Sequence, residues 1–214
     1  MDVCIESCLD TVQFSNSYIH GRMEVIPLAS TQEAGPGYLT LGEALAQNLV
    51  LITEVSREGS VPELAVTNRG KIPILLLDGE ELAGAKQNRV LNTTILIPGE
   101  TSLVIPVSCT EHGRWSDASS AFYDSAVMMD YKIRQKKMSS VGLSMKEQAS
   151  RRSDQGEIWS EIREVSRKAK VHSSTGAMKD VFESRAAAMD QYLAAFPLQP
   201  GQQGVLVYLD NRPA

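Results

Sequence analysis

The sequence predicts an α+β fold. It has a β-rich N-terminal half, in an antiparallel or mixed sheet with a sandwich as one arrangement. Two amphipathic helices and a returning C-terminal strand follow. Three observations predict this. Short apolar runs separated by turn residues fill the first half. The apolar pattern then changes to spacings of three and four, the period of a helix. Finally, "QGVLVYLD" (203–210) returns to strand composition. Strands followed by helices, rather than alternating with them, indicate α+β over a doubly wound sheet.

Each element has its own signal. The runs at 21–28, 48–55, 62–68, 72–79, 89–98 and 101–109 have strand length and are rich in Val, Ile, Leu and Thr. Glu58-Gly59, Arg69-Gly70 and Pro98-Gly99-Glu100 punctuate them as turns. "TLGEALAQ" (40–47) reads as a short helix between strands. Residues 132–153, "KIRQKKMSSVGLSMKEQASRRS", form a basic polar connection, either mobile or a charged, solvated helix. Over 153–170, Ile158, Ile162, Val165 and Ala169 share one helical stripe, with Glu161, Arg163, Glu164, Arg167 and Lys168 off it. A second helix over 173–196 has Met178, Val181, Phe182, Met189, Tyr192, Leu193 and Phe196 as its apolar face. Ser174 or Thr175 caps it and Pro197 ends it. The last run enters an Asp210-Asn211 turn that calls for a hairpin partner, and no partner strand is legible after it. The expected organisation is one domain over 1–214, with 1–20 as an N-terminal segment.

Composition narrows the class. The chain has 214 residues, 43% hydrophobic and 22% charged, with a net charge of −5. That length is enough for a core without staples. The mild acidity makes a nucleic-acid partner unlike this surface, and the basic stretch lacks interleaved aromatics. No apolar run approaches the roughly 18 residues of a membrane helix. The first residues, "MDVCIESCLD", lack the regions of a signal peptide. The three cysteines cannot all pair within one chain, so Cys4 and Cys8, in an N-terminal segment expected to be mobile, read as reduced thiols in a cytoplasmic protein. Apolar strands can leave an exposed edge that a homodimer would cover.

Two polar clusters follow apolar strands. In "LLLDGEELAGAKQNRVL" (75–91), Asp78, Glu80 and Glu81 precede a short Ala/Gly segment and then Lys86, Gln87, Asn88 and Arg89. Neighbouring carboxylates at the mouth of a core raise one another's pKa, which suits general acid/base chemistry or a hard cation. The alternative is a turn with solvated acids. In "VSCTEHGRWSD" (107–117), alternation puts Cys109 and Glu111 on one face and His112 on the other. Three chemistries suit these residues. Cys109 could be a nucleophile activated by His112, if the strand kinks. Glu111 and His112 could bind a metal with Glu80 or Glu81, on a weak spacing. Otherwise Glu111 or His112 is the acid/base, while Arg114 grips phosphate and Trp115 stacks on a base. The bland readings are a buried Cys109, a His112–Glu111 hydrogen bond and a Trp115 that closes the core.

These two segments, with "STGAMKDVFE" and "GQQGVLVYLD" in that order, resemble the uncharacterised ADP-ribosylglycohydrolase and rhodanese-phosphatase-superfamily-associated protein domain family. The resemblance runs from about Gly21 to the C-terminus. It implies a place in NAD-derived nucleotide metabolism or in conflict systems, with no settled reaction. The positions that carry it are Asp78 to Glu81, Lys86 to Arg89, Cys109, Glu111, Gly113, Arg114 and Trp115. His112 stands where the family commonly has Gln, which moves the acid/base expectation toward Glu80, Glu81 and Glu111. Family members commonly continue into a further strand and short helix, whereas this sequence stops at Ala214. The expected function is an enzyme acting on an ADP-ribose-like nucleotide, with strand-end carboxylates as acid/base. Lys86, Arg89 and Arg114 would hold the anionic part, Trp115 would stack, and Gln87 and Asn88 would orient hydroxyls. The rivals are a non-catalytic nucleotide- or protein-binding module and a cysteine- or metal-dependent hydrolase. The resemblance names no cofactor.

Overall fold

A computed structural model describes residues 3–31 and 37–214, the side chains of Val3 and Cys4 excepted, so the Cys4 thiol lies outside the described residues. The elements in chain order are α1 (Val3–Asp10), β1 (Val12–Phe14), β2 (Tyr18–His20), β3 (Met23–Ser30), β4 (Leu39–Thr40), α2 (Leu41–Ala46), β5 (Val50–Glu54), β6 (Glu63–Asn68), β7 (Ile74–Leu76) and β8 (Glu80–Gly84). Then come β9 (Arg89–Leu91), β10 (Ile95–Ile97), β11 (Thr101–Cys109), β12 (Phe122–Met128), α3 (Tyr131–Gln148), α4 (Gln155–Ala169), α5 (Lys179–Glu183), α6 (Ala186–Ala195), β13 (Gln202–Leu209) and β14 (Arg212–Pro213). The fold is α+β. The chain forms two compact units, one of Met1–Pro36 with Arg185–Ala214 and one of Gly37–Ser184.

The larger unit holds every candidate site residue. Its six-stranded sheet runs β12-β8-β9-β11-β6-β5, all pairs antiparallel. A three-stranded sheet, β10-β7-β4, contains the parallel pair β4–β7. Both faces of the large sheet are covered. Leu82, Leu91, Ile105 and Val107 join a core with α2 residues Leu41 and Ala44. Val90 joins a second core with Ile133 of α3, Ile158 and Ile162 of α4, and Met178. Local chemistry sets the helix ends. Thr40 and Glu43 form a reciprocal capping box on α2, with Thr40 Oγ1 accepting from Glu43 N at 3.3 Å and Glu43 Oε2 accepting from Thr40 N at 2.8 Å. Asp154 caps α4 by accepting from Glu157 N at 3.0 Å.

The smaller unit holds a five-stranded sheet in the order β1-β3-β13-β14, with β2 also paired to β3. The C-terminal run does have a hairpin partner: β14 pairs with β13, and Asp210 and Asn211 both take positive φ, 51° and 60°. Two positive-φ residues make the tight turn that matches strand twist, and Asp and Asn tolerate that region. The partner is only two residues long, which is why composition does not reveal it.

One further expectation changes, and one of two alternatives is selected. The helix over 173–196 divides into α5 and α6, with Arg185 between them at φ −118°, ψ 10°. Met178 and Val181 are buried in the larger unit, while α6 belongs to the smaller one and buries none of its residues, with Leu193 72% exposed. The basic connection is the helix α3 through most of its length. Its buried residues are Ile133, Lys137 and Val141, four residues apart, so a lysine occupies the centre of its inward stripe.

Lys137 is fully buried. It donates to Asp78 Oδ1 and, at 2.7 Å, to the Leu91 carbonyl, while Arg134 Nε donates to Asp78 Oδ2 at 2.7 Å. This staple holds α3 on the sheet. Asp78→Ala should cost about 3 kcal/mol in urea denaturation, because it leaves Lys137 charged and buried. Adding Lys137→Met should recover most of that loss. A double variant no more stable than Asp78→Ala would show that a stranded charge is not the cause.

Candidate functional site

The two polar segments are neighbours because β9 and β11 pair antiparallel, with Cys109 opposite Arg89 and Ser108 opposite Val90. β8 pairs with β9 on the other side, with Glu81 opposite Val90 and Leu82 opposite Arg89. The turn between β8 and β9, residues 85–88, therefore lies beside the end of β11 and the loop that follows it.

Arg114 ties these pieces together. Its Nε donates to Glu111 Oε1 and Oε2 at 3.0 Å each, and its Nη2 to Glu111 Oε2 at 2.7 Å. Nη2 also reaches Asn88 Oδ1 at 3.1 Å and the Gly84 carbonyl at 3.2 Å. Nη1 reaches the carbonyls of Ala85 at 2.5 Å and Ser116 at 2.9 Å. Every nitrogen of the guanidinium is thus occupied by the protein. Glu111 also accepts from the Asn88 backbone N–H at 3.1 Å. Burial raises the pKa of Glu111, but the hydrogen bonds from Arg114, Thr175 and the Asn88 backbone outweigh it, and the carboxyl stays below its usual range.

Beyond the clamp, Gln87 Oε1 accepts from Arg89 Nη1 at 3.1 Å and from the Cys109 thiol at 2.9 Å. Burial pushes the Cys109 thiol up to about 11, against the pull of Arg89, so it is neutral at physiological pH. His112 packs edge-on against Trp159, with ring centroids 4.4 Å apart, and no hydrogen bond joins it to Cys109 among the described residues. Arg89 is fully buried under the Trp115 ring, whose centroid is 5.5 Å from the guanidinium carbon. Trp115 itself is 47% exposed.

The remaining acids separate. Asp78 belongs to the Lys137 staple. Glu80 is half-buried and accepts from the Leu77 N–H at 2.7 Å; burial raises its pKa, and that hydrogen bond lowers it in part. Glu81 points to the opposite face of β8. It is fully buried and accepts from Thr110 Oγ1 at 2.5 Å and Ser125 Oγ at 3.1 Å. Burial raises it to about 7, only partly offset by those hydroxyls and by Lys179. Among the described residues, no group of three or more His, Cys, Asp or Glu is arranged to hold a metal ion.

A cleft of about 490 Å³ opens beside this cluster, lined in part by Thr53, Glu54, Arg57, Lys86, Asp117 and Ser119. Glu54 Oε1 accepts from the Lys86 N–H at 3.3 Å, whereas its buried Oε2 has no hydrogen-bond partner. Lys86 Nζ lies 3.4 Å from Asp117 Oδ1. Glu54 and Arg57 were not singled out from the sequence. Their signal was present: Glu54 ends the apolar strand β5, the same placement that marked the other two segments. Lys137 had no comparable signal, because it is one of several basic residues in a polar stretch.

Two outcomes follow. Arg114→Ala should cost about 3 kcal/mol in urea denaturation, since it strands a buried carboxylate and several carbonyls. A loss under about 1 kcal/mol, the value of an exposed pair, would remove the clamp from the account. Glu81 keeps its proton in the folded protein up to about pH 7, while an unfolded glutamate releases it near 4.5. The folded state binds more protons across that window, so the contribution of Glu81 is fully present below pH 4.5 and is lost as pH rises through about 7. The expected loss is about 3 kcal/mol. Glu81→Gln should flatten that part of the stability profile, and an unchanged slope would exclude Glu81 as its source.

Residues 11–214 match the model of the family described as the ARG and Rhodanese-Phosphatase-superfamily-associated Protein domain. No curated protein and no solved structure matches the chain. The match spans almost the whole chain and takes in both polar segments, the cleft and the C-terminal hairpin, so the chain belongs to the ARG and Rhodanese-Phosphatase-superfamily-associated Protein domain family.

Proposed function

We propose that the protein is an enzyme acting on an ADP-ribose-like or other NAD-derived nucleotide held in the cleft beside the β8–β9 turn. The observation that carries this is the lining of that cleft: cationic Arg57 and Lys86 beside Glu54, whose Oε2 has no protein donor. Arg57 and Lys86 suit a diphosphate. The carboxylate at the end of β5 suits a ribose hydroxyl or an attacking water, as general base. The family description supports the substrate class, with ARG read as ADP-ribosylglycohydrolase.

The other carboxylates fit this chemistry less well. Both oxygens of Glu111 are taken by Arg114, so its role is to hold the turn in place. Both oxygens of Glu81 are taken, by the hydroxyls of Thr110 and Ser125. Glu54 is therefore the strand-end acid/base of this reading. That same saturation of Glu111 favours a second reading, a nucleotide-binding module without turnover.

One panel separates the two. A nucleotide at about 100 times its dissociation constant should stabilise the fold by about 2.7 kcal/mol. ADP-ribose or NAD should do so with the wild type, and Arg57→Ala or Lys86→Ala should weaken the effect. Glu54→Gln should still bind, while product measured by mass spectrometry falls roughly 10²–10⁴-fold. Binding without product in the wild type selects the binding module. No stabilisation by any nucleotide overturns both readings.

A further inference from the structure

Arginine has one edge, Nε with Nη2, that matches the two oxygens of a carboxylate or phosphate. Among the described residues, three other arginines use that edge on an acid. Arg114 grips Glu111 with it at 3.0 and 2.7 Å, and Arg167 grips Glu164 at 2.8 and 2.8 Å. Arg22 grips Asp210 in the same way. Arg89 departs from this pattern. Its Nη1 donates to Gln87 Oε1 at 3.1 Å and to the Asn88 carbonyl at 3.4 Å. Its Nε and Nη2, though buried, have no acceptor.

The position is costly for a cation without an oxyanion. Arg89 is 0% exposed, and a buried charge is tolerated when it is paired and hydrogen-bonded. The acidic groups around it do not close the fork. Glu54 Oε1 is 4.0 Å from Nη2, beyond hydrogen-bond reach, and is already taken by the Lys86 N–H. Glu111 is engaged by Arg114, and Cys109 is a neutral thiol. Asn88 Nδ2, on the same turn, is another buried donor without an acceptor. The Trp115 ring lies over the guanidinium and is itself 47% exposed, so this side chain reaches from Arg89 to solvent.

We propose that the Nε–Nη2 fork of Arg89 is a buried receptor for one phosphate group of the ligand, reached by displacement of Trp115. This rests on the nucleotide reading and deepens it: Arg57 and Lys86 meet the ligand in the cleft, and Arg89 takes a phosphate behind Glu54. Glu54 opposes the incoming anion, so the receptor discriminates by fit to the fork and not by charge alone.

The chain has two tryptophans, so Trp159→Phe leaves Trp115 as the sole indole reporter. Its fluorescence is followed during titration with pyrophosphate, succinate and ADP-ribose. The expected result is a saturable change with pyrophosphate and ADP-ribose. Arg89→Lys, which keeps the charge and loses the fork, should weaken both by about tenfold. Glu54→Gln should tighten pyrophosphate several-fold. No saturable response to pyrophosphate overturns the receptor, as does a folded Arg89→Lys variant of unchanged affinity. A stronger response to succinate than to pyrophosphate overturns the phosphate assignment. If Arg89→Lys does not fold, Glu54→Gln decides, and unchanged or weaker pyrophosphate binding overturns the proposal. Arg89-dependent binding of pyrophosphate without any binding of ADP-ribose would end the nucleotide reading and leave the receptor standing. ADP-ribose binding indifferent to Arg89 would do the reverse.

Discussion

The Arg114 guanidinium holds the polar end of the large sheet in one arrangement. It bonds the carboxylate of Glu111, the side chain of Asn88 and the carbonyls of Gly84, Ala85 and Ser116. Those groups belong to the end of β8, the turn after it and the loop beyond β11. Without a common donor, three carbonyls and a carboxylate would face one another. With it, the turn that carries Lys86, Gln87, Asn88 and Arg89 is fixed beside the cleft. A charge-assisted, multidentate contact of this kind is geometrically demanding as well as strong.

The same logic recurs around the sheet, with different results. Lys137 and Arg134 satisfy Asp78, which lets a cationic helix pack against an apolar face. Thr110 and Ser125 satisfy Glu81, but hydroxyls do not supply the counter-charge that Arg114 supplies to Glu111. Two carboxylates from adjacent segments are therefore held at opposite ends of the acid range, one below its usual value and one near neutrality. That separation follows from burial against charge pairing. The orphaned atoms, Arg89 Nε and Nη2 and Glu54 Oε2, cluster on the side of the sheet where the cleft opens. Among the described residues, Trp159 Nε1 is the orphaned atom away from this group, so the concentration of the others draws attention to that side as the place for a ligand.

Much of the fold was legible in the sequence. Period and composition marked the runs that became β3, β5, β6, β7, β11 and β13, and the stripe of α4. The short helix α2 was read from "TLGEALAQ", but its capping box, Thr40 with Glu43, was not. β8 was not legible, since "EELAG" carries no β-branched or aromatic residue to announce a strand, and β12 was missed although "FYDSAVM" holds Phe, Tyr and Val. The run over 89–98 became two strands, β9 and β10, that enter different sheets. Composition cannot distinguish one long strand from two short ones around a corner.

The sequence by itself determined the fold class and the fact that the second polar segment follows an apolar strand, β11, because periodicity reports which faces are buried and turn residues report where strands stop. The first segment contains a strand of its own, β8, with Glu81 inside it. Only the tertiary structure decided which polar atoms found partners. Arg114 and Arg89 are the same residue type in neighbouring segments, yet one has every nitrogen engaged and the other keeps its fork unpaired. Lys137 reads as a solvated charge and is buried because Asp78, distant in sequence, arrives beside it. Hydrogen bonding within a core depends on positions in space to a fraction of an ångström, and no pattern along the chain encodes them.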